Sequence, residues 1–261
     1  AYAEHLSQLF SVECWGGATF DVALRFLKED SWDRLADLRE RMPNVMLQML
    51  LRASNAVGYT NYPDNAVDLF VRQAAETGID VFRVFDSLNW ADNMKVAMES
   101  VLKTDRLCEA AICYTGDLGH PERPKYQLDY YLGLARELKS AGAHIIGIKD
   151  MAGLCRPAQI RTLVKALKDE TGLPVHYHTH DTSGIAAATV LAACEAGADA
   201  VDAAMDSFSG PTSQPNLGSI VTALGDPPRA SGLDPAVIRR CWDYWEAVRT
   251  QLAPFQPDPR A

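Results

Sequence analysis

A chain of 261 residues with 48% hydrophobic and 23% charged side chains has the composition of an ordinary globular protein and the length of one large α/β barrel or two small domains. Its formal net charge is −9, with acidic and basic residues interspersed, so no basic stripe is available to grip a phosphate backbone and nucleic acid is not an expected partner. No window approaches the roughly 20 apolar residues of a membrane helix, and residues 1–20 lack the layout of a signal peptide, so neither a membrane span nor a secretory leader is expected.

In chain order, a helical stretch, Ala1 to Leu9, is followed by short apolar runs alternating with amphipathic ones. The strand candidates are Phe10–Trp15, Val45–Leu51, Val81–Phe85, Leu107–Tyr114, His144–Ile148, Pro174–His180 and Ala200–Met205. Between them the helical period covers Trp32–Arg41, Ala66–Thr77, Tyr126–Ala141, Pro157–Thr171 and Ile185–Ala196, as repeated βα units of a parallel sheet require. Gly78, Gly142, Gly172 and Gly197 sit where C-caps on short αβ loops belong. Polar residues gather just past many strand ends, which favours a closed barrel with one mouth over a doubly wound open sheet. The expected fold is therefore a (β/α)8 barrel over residues 1–253, with seven strand candidates standing as strands two to eight and the first strand expected before Ala1. Gly225 to Asp234 interrupts the last helical region, and residues 254–261 read as a tail. Six scattered cysteines, Cys14, Cys108, Cys113, Cys155, Cys194 and Cys241, form no C-x-x-C pair and read as buried thiols of a reducing compartment.

The sharpest local signal is Val175-His176-Tyr177-His178-Thr179-His180-Asp181. Alternate residues of a strand share a face, so His178 and His180 have Cβ atoms about 6–7 Å apart and can chelate one divalent ion. His176 lies one step deeper on that face, as a packed or supporting histidine. The alternative is three hydrogen-bonded histidines in a polar core. Asp181 either orients an imidazole or caps the next helix with Thr182 and Ser183. Lys149 ends the preceding strand. As an ammonium it pairs with anions; carbamylated by carbon dioxide, it becomes an oxygen ligand. Two histidines need a further ligand, and Asp86, Asp150 and Asp206 near strand ends are equally good loop or helix caps. Arg52, directly after an apolar strand, suits a carboxylate or enolate oxygen, with a structural salt bridge as the alternative. Tyr59 is a rim donor or a cover for the core. Asp21 caps a helix or bonds Tyr59, and Gly16-Gly17 makes a turn that a ligand can approach.

With these residues assembled, the chain resembles the carboxyltransferase domains of the biotin-dependent, pyruvate carboxylase type from about Ser11 to Phe255. The stretches that carry the resemblance are ECWGGATFDVALRFL, LLRASNAVGYTNYPDN, VFRVFDSLN, GIKDMAGL, HYHTHDTSG and DAAMDSFSGPTSQPN. It implies a TIM barrel whose divalent ion (Zn, Mn or Mg) is held by an aspartate, a carbamylated lysine and two histidines, the last three falling on Lys149, His178 and His180. It places the keto-acid clamp on Arg52 and the biotin pocket on Tyr59 and Asp21, with Arg52 and Lys149 as catalytic residues. The implied reaction moves a carboxyl group from carboxybiotin to pyruvate, giving oxaloacetate through an enolate that the metal and Arg52 stabilise.

The implied partners are pyruvate and oxaloacetate, a biotin carboxyl carrier domain and a biotin carboxylase domain, in a homo-oligomeric cytoplasmic enzyme, or one of the mitochondrial matrix if eukaryotic. Neither a biotinyl lysine nor an ATP-binding loop is recognisable in this sequence. The family's first strand, which supplies the metal aspartate, and its proton-moving threonine after the barrel have no counterpart here and are expected outside residues 1–261. The alternatives are the carboxyltransferase subunit of oxaloacetate decarboxylase or transcarboxylase, a keto-acid condensing barrel of the isopropylmalate or homocitrate synthase kind, and an inactive fragment.

Overall fold

The computed structural model describes residues 1–256 and contains one parallel sheet with the strand order β1-β2-β3-β4-β5-β6-β7. The strands are β1 (Ser11–Trp15), β2 (Met46–Leu51), β3 (Val81–Phe85), β4 (Leu107–Cys113), β5 (Ile145–Asp150), β6 (Val175–Thr179) and β7 (Ala200–Val201). The helices are α1 (Tyr2–His5), α2 (Gly17–Val22), α3 (Ser31–Arg41), α4 (Asp64–Thr77), α5 (Ala91–Leu102), α6 (Leu128–Ser140), α7 (Pro157–Thr171), α8 (Ala186–Glu195), α9 (Leu217–Ala223) and α10 (Pro235–Leu252). A purely sequential parallel order lays every crossover on one face, whereas a doubly wound sheet reverses its order midway. The sheet also curls: one guanidinium, that of Arg83 on β3, bonds both Glu13 of β1 and Asp202, the residue after β7. The architecture is a TIM-type α/β barrel, with β1 and β7 each paired on one side among the described residues.

Strand alternation sorts the side chains into two layers. Outward residues, such as Leu47, Met49 and Leu51 of β2, Phe82 and Val84 of β3, Ile146 and Ile148 of β5 and Val175 and Tyr177 of β6, join the apolar faces of α4 to α8 in one core. Inward positions are polar over the middle of the barrel: Gln48, Arg83, Glu109, Lys149, His176 and His178 are all buried. A bulge between Glu13 and Trp15 lets β1 serve both layers. It keeps Glu13 with the interior and turns Trp15 outward, where its ring stacks on Phe70 with centroids 5.8 Å apart and packs with Phe20 and Trp32.

The four expected cap glycines all have positive φ, from 65° at Gly172 to 145° at Gly78. Most elements match the expected ranges to within one or two residues at each end, and two are less than half the expected length. The N-terminal helix covers only Tyr2–His5, held by Leu6, which is fully buried against Val221, Val237 and Ile238. The last strand stops at Val201 instead of Met205: past it only the Asp202 amide still bonds β6, at the Tyr177 carbonyl, before a single bridge, Ala204 with Asn216. Of the expected tail, Ala253–Phe255 is a short 3-10 turn, and residues 257–261 lie outside the described residues. No described helix is long and apolar enough to cross a membrane.

Candidate metal centre and active site

The barrel interior is organised around Arg83. Its Nη1 donates to Glu13 Oε2 at 2.9 Å and to Asp202 Oδ2 at 2.7 Å, and its Nε donates to Glu109. His176 closes the cluster, with Nδ1 2.8 Å from Glu109 Oε2 and Nε2 2.7 Å from Asp202 Oδ1. Both ring nitrogens face carboxylate oxygens, so both carry protons. Burial pulls the His176 pKa down, but Glu109 and Asp202 outweigh it and raise it to about 9. Glu109 is held below the usual carboxylate range: burial acts upward, and the charges of Arg83 and His176 overcome it. Glu13 moves the other way, raised by burial and by its acidic neighbours Asp202 and Glu109 against the pull of Arg83.

His178 and His180 meet as their spacing predicts. Their Nε2 atoms lie 3.1 Å apart, and each Nδ1 is engaged behind, His178 with Asp202 Oδ2 at 2.6 Å and His180 with the Thr212 carbonyl at 2.6 Å. A carbonyl oxygen only accepts, so His180 Nδ1 carries a proton, and Nε2 is the nitrogen turned toward His178. Burial, helped by the charges of Arg83 and Lys149, lowers the His178 pKa to about 4 despite its bond to Asp202, so the ring is neutral near pH 7. Two such nitrogens at this separation fit adjacent corners of a coordination sphere with bonds of about 2.0–2.1 Å.

Lys149 pairs in register with His178 on the neighbouring strand, so the two side chains enter the interior side by side. Its Nζ lies 5.2 Å from the Phe85 ring centroid, and among the described residues it makes no ion pair. Burial lowers its pKa, Arg83 adds to that effect, and Glu13 opposes it. Among the described residues no group of three or more His, Cys, Asp or Glu side chains is arranged around a metal position. The donors present are thus the imidazole pair and, once carbamylated, Lys149. Their chemistry fits a divalent cation, with further ligands needed from elsewhere.

Arg52 stands at the end of β2 with its guanidinium 5.1 Å from the Tyr59 ring centroid and Nη1 donating to the Gly58 carbonyl at 3.2 Å. It makes no salt bridge among the described residues, so its remaining donors are not committed to a carboxylate of the fold. The loop that carries it strains its backbone, with Ala53 and Ala56 at φ 44° and 46°. Gly17 has a specific purpose here: a Cβ at that position would lie 3.0 Å from Arg52 Cζ. The Gly-Gly turn therefore admits the arginine head. Tyr59 is 74% exposed, a rim residue and not a cover for the core.

Asp21 departs from both of its expected roles. It lies inside α2, where it pairs with Arg25 one turn on at 3.3 Å, and among the described residues it has no bond to Tyr59. The other candidate carboxylates are caps: Asp86 accepts from the Leu88 and Trp90 amides, Asp150 from Leu154 and Cys155, and Asp206 from Gly218. Asp181 likewise accepts from the Ala186 amide at 3.0 Å, at the start of α8, and does not orient an imidazole. A cavity of about 320 Å³ opens between β1 and the segment after β7, with Glu13, His178, Asp202 and Gln214 in its wall.

A family model described as HMGL-like matches residues 52–241. The chain belongs to the HMGL-like family. Solved relatives of this HMGL-like chain include the carboxyl transferase domain from Rhizobium etli pyruvate carboxylase with pyruvate and biocytin, which is 66% identical with a TM-score of 0.97 over 98% of this chain and 43% of that one. Among curated proteins it is 53% identical to pyruvate carboxylase of Bacillus subtilis over 95% of its length. It is 54% identical to the mitochondrial pyruvate carboxylase of Homo sapiens over 97% of its length. It spans 22% of the length of either curated relative.

Four members of the HMGL-like chain's interior cluster, Glu13, Arg83, Glu109 and Asp202, were not singled out by motif reading. A signal existed for all four: each is the lone charge inside a strand candidate, Glu13 in Phe10–Trp15, Arg83 in Val81–Phe85, Glu109 in Leu107–Tyr114 and Asp202 in Ala200–Met205. A charge in such a run needs a buried partner, and Arg83 is that partner for all three carboxylates.

Proposed function

We propose that the chain is the barrel of a biotin-dependent carboxyltransferase that moves a carboxyl group from carboxybiotin to pyruvate, giving oxaloacetate. The observation that carries this reading is the convergence, at the C-terminal ends of adjacent strands, of a facing imidazole pair and an unpaired buried lysine, with an uncommitted arginine at the same end of the sheet. The likeness to the Rhizobium etli domain, solved with pyruvate and biocytin, supports the choice of substrates.

In this reading Arg52 binds the keto acid, its planar fork matching a carboxylate or an enolate oxygen. Pyruvate gives up a methyl proton, which ends on the biotin ureido nitrogen as that nitrogen's bond to the carboxyl group breaks, and the enolate carbon takes the carboxyl group so released. Negative charge then grows on the substrate oxygen, where a fixed cationic donor is worth more than in water. His178, His180 and a carbamylated Lys149 would hold a divalent cation, which when bound supplies Lewis-acid stabilisation of such an oxygen. The lowered pKa of Lys149 favours the free amine, the form that adds carbon dioxide. Tyr59, stacked beside Arg52 at the rim, and Asp21 on α2 form the side of the mouth nearest an entering biotin. The biotin carrier and the biotin carboxylase that loads it are partners supplied by other domains.

The test is avidin treatment of the full-length protein. Loss of pyruvate carboxylation supports carboxyl transfer; keto-acid turnover untouched by avidin supports a condensing or cleaving barrel instead. Metal analysis and oxaloacetate decarboxylation by the 261-residue chain decide whether it is active alone.

A further inference from the structure

Resting on the metal-centre reading above, we propose that Asp202, anchored by Arg83, is the positioning residue that determines which nitrogen of His178 carries its proton, and so whether Nε2 presents a lone pair beside that of His180. His178 can carry its single proton in two ways, and the geometry makes them compete. With the proton on Nε2, the ring would hydrogen-bond the His180 Nε2 lone pair at 3.1 Å, closing the site on itself without a cation. With the proton on Nδ1, it donates to Asp202 Oδ2 at 2.6 Å and leaves two lone pairs converging on one point. Asp202 selects the second arrangement, because its oxygens only accept and an unprotonated Nδ1 at 2.6 Å would set lone pair against lone pair.

Arg83 Nη1 also lies 3.1 Å from His178 Nδ1, but its two protons have the shorter contacts with Asp202 Oδ2 at 2.7 Å and Glu13 Oε2 at 2.9 Å. Asp202 is itself immobilised. Oδ1 accepts from His176 Nε2, Oδ2 accepts from both Arg83 and His178, and its backbone amide donates to the Tyr177 carbonyl at 3.0 Å. Three donors converge on two oxygens. An asparagine there offers one oxygen and turns its NH2 group onto at least one of those donors.

Glu109 supplies the control. It also binds Arg83 and His176 and is fully buried, yet it has no contact with His178. Asp202→Asn and Glu109→Gln each remove one negative charge from the same cluster, and only the first touches the ligand. In the full-length protein, stripped of metal and titrated with Zn²⁺ or Mn²⁺ against a competing chelator, Asp202→Asn is expected to weaken cation binding by about 10–100-fold. Glu109→Gln is expected to stay within about threefold of the unaltered protein even where its melting temperature drops. Equal losses in the two variants, or unaltered affinity in Asp202→Asn, overturn the positioning role while leaving the metal centre standing. Absence of stoichiometric cation binding in the unaltered protein overturns the metal-centre reading and this inference with it. Should Asp202→Asn fail to fold, ¹⁵N-histidine NMR of the unaltered metal-free protein decides: a proton on Nδ1 of His178 is expected, and one on Nε2 refutes the inference.

Discussion

Arg52 illustrates how one side chain is prepared for work that the fold does not need from it. Its neighbours position the guanidinium without neutralising it: a carbonyl, an aromatic face and a glycine that leaves it room. Arg52→Ala in the full-length protein should therefore lower pyruvate-dependent turnover by about 10²–10³-fold, the range for removing a fixed donor to a developing oxyanion, with little change in melting temperature. Arg52→Lys should recover little of that loss, because a point charge cannot reproduce the planar fork. Steady-state assays with pyruvate check both, and near-normal turnover in Arg52→Ala would sink the assignment. Arg83 is the opposite case, a cation wholly committed to the protein. Its replacement by methionine leaves Glu13, Glu109 and Asp202 facing one another, and should destabilise the protein by about 3–5 kcal/mol in denaturant unfolding.

At the scale of elements, the strands carry two instructions at once. On β5 the outward residues Ile146 and Ile148 belong to the helix-facing core, while the inward Gly147 leaves space for its neighbour: a Cβ there would approach Glu109 Oε1 to 2.8 Å and Ala111 Cβ to 3.0 Å. Gly147→Ala should cost about 1–3 kcal/mol by crowding a packed interior, and a calorimetric melt unchanged from the parent would show that the strand can shift aside. On β1 the bulge does the sorting. Trp15 belongs by simple alternation to the same face as Glu13, and the extra residue sends it to the aromatic cluster instead. The sequence run ECWGG contains no mark of that bulge, because both registers satisfy local propensity and only the partner strand distinguishes them. The early stop of β7 is similar: Ala200 to Met205 is apolar enough to continue, but the chain turns there and Asp202 enters the interior cluster.

For the whole molecule, the barrel buries its thiols along with its charges. Burial pushes Cys14 and Cys108 up to about 12 and Cys113 up to about 11, and raises Cys155 as well. In the native protein near pH 7, Cys108, Cys113 and Cys155 should resist iodoacetamide, and all should label once the chain is unfolded. Mass spectrometry of the alkylated protein measures this, and rapid native labelling of Cys108 would contradict the packing described. The alternation of strands and helices, the glycine caps and the pairing of His178 with His180 were legible from residue order, since period, cap chemistry and strand pleat are local properties of a few consecutive residues. The roles of Asp21 and Asp202 were not, and for Asp181 the sequence offered both a cap and an imidazole partner, of which the structure has the cap. A carboxylate near a strand end is equally suited to a cap, an ion pair or a ligand, and the choice depends on which donors the other strands bring within about 3 Å. The class of fold thus follows from residue order, whereas the gathering of Glu13, Arg83, Glu109, His176 and Asp202 into one buried centre follows only from the curl of the sheet, which joins side chains that no spacing along the chain relates.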